Sequence, residues 1–218
     1  MYANRLTYLK PALDELDKKW PENRTVNIVC HGHSVPSGYF ATPFVDTFRA
    51  YPHLLHRHIK ERFPFAVVNV IVTAIGGENS ERGAERFDSQ VLNLRPDVLT
   101  IDYALNDRII GLQAAETAWR RMIEKALENE IKVILLTPSW DKSYFLKDGD
   151  WDALEEHSEQ IRNLASDYQI GLADVFQRFA DYVKEDDDLT DLLSHVNHPN
   201  YEGHALIARE IAKYFGAV

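Results

Sequence analysis

The sequence predicts an α/β fold, a three-layer α/β/α sandwich on a five-stranded parallel sheet, in one domain spanning residues 1–218. Three observations lead there. Five apolar, β-branched runs alternate with segments of helical periodicity. The runs are continuous rather than alternating, as expected of strands covered on both faces. No linker-like, repetitive or low-complexity tract divides the chain.

Each element follows from its residues. Leu9, Leu13, Leu16 and Trp20 recur at helical spacing, so Thr7 to Trp20 is read as an amphipathic helix with Pro11 in its first turn. TVNIVC is the first strand, and Phe44 to Arg62 has helical character. AVVNVIVTA is the second strand, ERGAERFDSQVLNL a short helix and PDVLTIDYAL the third strand. Ala115, Trp119, Met122, Ile123 and Ala126 mark a long helix ahead of the fourth strand, KVILLTP. A loop carrying Trp140, Tyr144, Phe145 and Trp151 leads to a helix from Leu154 to Tyr168. IGLADV is the fifth strand, and an acidic segment separates it from a last helix with Leu206, Ile207, Ile211 and Phe215 on one side.

Charge narrows the function classes. With 34 acidic and 24 basic residues the formal net charge is −10, which disfavours nucleic acid and anionic membranes, since both need a basic face. Acidity also keeps a protein soluble. Cys30, the only cysteine, lies in an apolar run and reads as an inert core thiol that can form no internal disulfide. The N-terminal segment is polar and no apolar run reaches membrane-spanning length, so the expected setting is soluble and cytoplasmic, although a trimmed export signal would leave no trace.

In such sheets ligands collect beyond the carboxyl ends of the strands. Four segments there bear chemistry: Ser34 in CHGHSVPSGYF, Gly76 and Gly77 in AIGGENS, Asn106 and Asp107 in ALNDR, and His198 in HVNHPNYEGH. Singly each reads as a turn or a helix cap. Together they supply a hydroxyl nucleophile, an imidazole base and neutral donors for an oxyanion, namely the N–H groups of Ser34 and Gly77 and the Asn106 carboxamide.

The set resembles the four blocks of the SGNH hydrolases, also called the GDSL esterase family, over roughly Thr25 to Ala212. The resemblance implies a flavodoxin-like sheet, a catalytic set of Ser34, Gly77, Asn106 and His198, and ester hydrolysis through an acyl-enzyme without metal or organic cofactor. Three positions depart from the family pattern. His33 stands where an aspartate usually precedes the nucleophile, and Ala104 replaces a glycine. His195 occupies the place of the triad carboxylate, three residues before the base. The candidate orienters of His198 are therefore His195, Asp191, less readily Asp188, or a backbone carbonyl, with a Ser-His dyad held by a substitute orienter as the favoured arrangement.

His33, Glu78, Asn79, Asp107 and Arg108 are candidate pocket residues, as is Arg82; Glu78 and Arg82 are spaced to form an ordinary helical ion pair instead. Trp140, Tyr144 and Trp151 suit either sugar stacking or core. The alternating His31 and His33, with His195 and His198, raise a zinc reading, but no tight ligand motif accompanies them. His53, His56 and His58 fall on a helix and read as solvent-facing. The expected partner is a small-molecule ester, with an acylated carbohydrate first and short-chain lipid or thioester substrates open. The competing function is a weakened SGNH-fold module that binds an acylated glycan or small ligand without turnover.

Overall fold

A five-stranded parallel sheet lies between two layers of helices in the computed structural model, which describes residues 1–184 and 188–217. The chain runs α1 (Lys10–Leu16), β1 (Thr25–Gly32), α2 (Ser34–Ser37), α3 (Tyr51–Arg62), β2 (Val67–Val72), α4 (Ser80–Glu85), α5 (Phe87–Gln90) and β3 (Val98–Asp102). It continues through α6 (Ala104–Asp107), α7 (Gly111–Glu128), β4 (Lys132–Leu136), α8 (Ser143–Leu146), α9 (Gly149–Asp167), β5 (Gly171–Ala173), α10 (Val175–Lys184) and α11 (Tyr201–Ala212). The strand order β2-β1-β3-β4-β5 is the flavodoxin-like arrangement, with a topological switch beside β1.

Strand side chains alternate between the two layers. Ile28 and Cys30 of β1, with Ile134 and Leu136 of β4, enter the core under α1, α3, α10 and α11. Val29, Val133 and Leu135 enter the core under α4, α5, α7 and the second half of α9. Burial pushes the Cys30 thiol up to about 12, so it is inert as expected. Among the described residues no helix is long and apolar enough to cross a membrane.

The helices differ from the sequence expectation mainly at their ends. α1 is shorter than Thr7 to Trp20: Trp20 precedes Pro21, which disfavours helical backbone, and its ring is exposed. The segment from Phe44 divides into a 3₁₀ turn, Thr47–Arg49, and then α3, which starts with Pro52 in its first turn. His53, His56 and His58 are half-buried on α3 rather than turned fully to water. α9 begins five residues earlier than Leu154, because the Asp148 carboxylate caps it by accepting the Asp150 N–H. α10 has no counterpart in the sequence reading; it buries Val175, Phe176 and Phe179 directly after β5. The acidic segment read from the sequence falls partly on 185–187, outside the described residues.

What positions the site is the junction of β1 and β3. Gly32 is paired with Asp102. A Cβ on Gly32 would lie 2.4 Å from the Asp102 carbonyl oxygen and 2.8 Å from Pro36 Cγ. Only glycine allows that approach, and it lets the His33 N–H donate to the same carbonyl at 3.2 Å. Gly32→Ala is expected to cost about 1–3 kcal/mol of stability through overpacking. Urea unfolding would measure it, and an unchanged midpoint would refute the constraint.

Candidate active site

Ser34 opens α2 immediately beyond β1, and His33 is the N-cap. The His33 ring accepts the Val35 N–H at Nδ1, 3.3 Å away, doing the work usually left to a hydroxyl or carboxylate cap. Gly38 ends the helix in the left-handed region, at φ +87°. Ser34 is 7% exposed, a small window to solvent.

His198 reaches this serine from the far end of the sequence. Its Nε2 lies 2.9 Å from Ser34 Oγ across 164 residues. Several contacts fix the loop that carries it. Ser194 donates to the His198 carbonyl through its N–H at 2.9 Å and its hydroxyl at 3.1 Å. Asn200 caps α11 by accepting the N–H groups of Glu202 and Gly203, and it donates its amide to the Asp191 carbonyl at 2.8 Å. A Cβ on Gly203 would meet the Leu192 carbonyl oxygen at 2.5 Å, so α11 docks closely under the loop. The Lys142 N–H donates to the Val196 carbonyl at 2.8 Å, joining the loop after β4 to the histidine loop.

The remaining two segments are tied to each other. Gly77 adopts φ +77°, a turn conformation that favours glycine. Asn106 Nδ2 donates to the Glu78 carbonyl at 2.9 Å, and Asp107 Oδ1 accepts the Ser80 N–H at 2.8 Å. The loop after β2 is thereby hung from α6. It approaches the other half through Tyr39: a Cβ on Gly76 would lie 3.0 Å from that ring, whose centroid is 5.9 Å from that of His198.

The candidate orienters are not where they are needed. His195 and Asp191 are exposed, and Asp188 is spent on capping the Thr190 N–H. His198 Nδ1 is buried without a hydrogen-bond partner of good geometry, although the Phe40 backbone is close enough to favour the charged ring. Burial dominates and lowers the His198 pKa, and His33 and His195 push the same way. Among the described residues no carboxylate accepts a hydrogen bond from this ring.

Most of the candidate pocket residues have partners inside the protein. Glu78 is buried and bonded to Arg86, not Arg82, and it also accepts the Tyr103 hydroxyl at 3.0 Å. Asn79 caps α4 through the Arg82 N–H. Asp107 is fully buried; its other oxygen accepts the Trp119 indole N–H at 2.7 Å, and desolvation raises its pKa. Arg108 pairs with Asp141 at 2.7 Å and donates to the Asp150 carbonyl. Each of these residues makes internal bonds that brace the loops. Trp140 and Trp151 are buried in a cluster with Tyr144 and Phe176, which makes them core.

His33 is 1% exposed, and its Nε2 lies 3.3 Å from Asp102 Oδ1. Asp102 has no motif signal; it lies inside the third apolar run of the sequence, and only the β1–β3 register brings it to His33. Among the described residues no group of three or more His, Cys, Asp or Glu side chains is disposed to hold a metal. His31 faces the core instead: Nε2–H donates to the Gly83 carbonyl at 3.2 Å and Nδ1 accepts the Thr73 hydroxyl at 2.9 Å.

A sequence model of the GDSL-like lipase/acylhydrolase family matches residues 30–206. The chain belongs to this family. As a member it is a carboxylic-ester hydrolase. Comparison with curated proteins gives no match. Solved structures of similar fold include the α/β hydrolase LAE5 from the metagenome of Lake Arreo, Spain, at 20% identity and TM-score 0.76, covering 88% of this chain and 95% of that one. A two-domain esterase (CEX) active on acetylated mannans gives 20% identity and TM-score 0.73, covering 96% of this chain and 52% of that one, so this chain spans about half of it. The acetylxylan esterase Axe2 from Geobacillus stearothermophilus gives 18% identity and TM-score 0.76, covering 88% and 94%.

Two histidines of this family member are stored neutral around the site. Burial lowers both His31 and His204 to about 3. His204 sits behind the site, where its Nδ1 accepts the Tyr51 N–H at 3.2 Å. On unfolding each ring regains an ordinary pKa near 6.5, so between about pH 6.5 and 3 the unfolded chain binds more protons. Stability is then full above that window and falls as pH drops through it, by about 1.4 kcal/mol per unit per histidine. Urea unfolding at pH 6.5 and 5 should differ by up to about 4 kcal/mol from this pair; equal values would show that the rings are charged inside the fold.

Proposed function

We propose that this ester hydrolase works through a serine acyl-enzyme, with Ser34 as nucleophile and His198 as general base. The observation that carries the reading is the 2.9 Å contact between Ser34 Oγ and His198 Nε2. In that scheme His198 Nε2 takes the hydroxyl proton as Oγ attacks the carbonyl carbon, returns it to the leaving alkoxide, and then activates water. The N–H groups of Ser34 and Gly77 and the Asn106 amide are the donors we assign to the oxyanion. Asn106 Nδ2 has two hydrogens and spends one on Glu78, which holds the group in place while one remains.

A small acyl group on a carbohydrate is the substrate we favour. It is motivated by the fold shared with an esterase active on acetylated mannans and with an acetylxylan esterase. A second reading, a longer acyl chain, is favoured by apolar side chains on the loops that follow the strands: Phe44, Phe48, Ile75, Ile109 and Val196 are all exposed. A chain-length series of nitrophenyl esters separates the two, since an acetyl optimum supports the first and an octanoyl optimum the second. The binding-only alternative predicts no turnover with any of them.

A fluorophosphonate should label the protein on Ser34, and Ser34→Ala should abolish both labelling and turnover; turnover that survives intact overturns the nucleophile assignment. His198→Ala should lower kcat by about a hundredfold to ten-thousandfold. Asn106→Ala should lower it by about a hundredfold with little change in KM.

The pH profile offers a separate check. Because the base must be neutral and its pKa is lowered, kcat/KM should rise with pH on the acid side, with its limb below the ordinary imidazole value of about 6.5. A limb above that value would contradict the desolvated base.

A further inference from the structure

Ser34 Oγ lies between two imidazoles. His198 Nε2 is 2.9 Å away and His33 Nδ1 is 3.3 Å away. The His33 tautomer is fixed by its neighbours. Because Nδ1 accepts the Val35 N–H, it keeps its lone pair and the proton sits on Nε2, facing Asp102 Oδ1 at 3.3 Å. The two side chains are 1% and 6% exposed, so water does not screen them. The Tyr51 phenol is buried beside the same carboxylate. A carboxylate on the far N–H of an imidazole is what stabilises the ring after it takes a proton from a serine. His33 has that carboxylate, whereas the far nitrogen of His198 has no carboxylate partner among the described residues, only the nearby Phe40 backbone.

We propose that Asp102 is the acid of this site and that it acts on the nucleophile through His33, making His33 a second catalytic base beside His198. The inference rests on the reading of Ser34 as nucleophile. On the route that His33 serves, Oγ bonds to the ester carbonyl carbon, the carbonyl π pair moves onto its oxygen, and the hydroxyl proton passes to His33 Nδ1 instead of His198, the Val35 N–H giving up that lone pair as it does. The Nε2–H stays turned to Asp102 Oδ1, so the imidazolium faces a negative charge. When the tetrahedral intermediate collapses, the C–O bond to the leaving group breaks and the Nδ1 proton goes to the departing alkoxide. Water repeats the cycle on the acyl-enzyme, and no other reactant is needed. The 3.3 Å spacing is long for the resting contact, as catalytic hydrogen bonds often are before substrate binds.

The competing role for His33 is that of a helix cap and nothing more. His33→Asn separates the two, because asparagine caps a helix well but offers no imidazole. The experiment compares His33→Asn, Asp102→Asn and their double variant on nitrophenyl acetate, with thermal unfolding as the check on folding. Each single change should lower kcat by about tenfold or more, with KM within about twofold. The double should be no slower than the slower single, because the two residues act as one unit. In the His198→Ala background, Asp102→Asn should lower the residual Ser34-dependent rate again by about tenfold. A folded His33→Asn protein with wild-type kcat overturns the proposal, as does a double variant whose losses multiply. Should His33→Asn not fold, the nearly isosteric Asp102→Asn decides alone, and wild-type kcat there is fatal. Turnover that survives Ser34→Ala would instead remove the nucleophile reading itself.

Discussion

The approach of two strand ends without a side chain between them is the constraint on which the site depends. With no Cβ on Gly32, β1 lies against the Asp102 carbonyl of β3, and the chain turns at once into α2. Both the cap of that helix and its first residue then sit over the centre of the sheet. Three parts of the site are hung from this junction: the His33 ring over Asp102, Ser34 at the mouth, and the loop after β2, whose Ile75 N–H donates to the Gly32 carbonyl at 3.0 Å. A bulkier residue would shift all of these groups together.

The surroundings of the serine are dry and rich in imidazole rather than carboxylate. His31, His33, His198 and His204 are all buried, and the first and last are held neutral by desolvation. Neutral rings can pack against apolar side chains, as Phe40 does against His204 at a centroid distance of 5.0 Å. That choice has an electrostatic consequence. Each neighbouring ring that does take a proton makes the next protonation harder, so the base is kept in its free form by its own company. The carboxylates nearby, Glu78, Asp107 and Asp141, are each occupied with an arginine, an indole or backbone N–H groups, so they steady the loops.

Runs apolar on both faces leave the register unspecified, but the sheet is legible in the sequence because its strands are continuous β-branched runs. The serine and its distant imidazole are legible for the same reason: strand ends must meet at one edge of a parallel sheet. α10 is not, since Val175, Phe176 and Phe179 follow the fifth apolar run with only Asp174 between, and the strand signal hides the change of period. Glu78 pairs with Arg86 rather than Arg82 because Asn79 caps α4, which leaves Glu78 outside the helix and off its i, i+4 face. Asp102 is the deepest omission. Its approach to His33 arises from lateral strand pairing, which no spacing along the chain encodes.

The bond from the Lys142 amide to the Val196 carbonyl makes two segments, more than fifty positions apart in the chain, into one mechanical part. Sequence drift that reshapes the aromatic segment must keep its amide within reach of the other, so the pair evolves in concert. A chimera that borrows either segment from a relative inherits a severed joint and a displaced imidazole; one that borrows both keeps the joint whole.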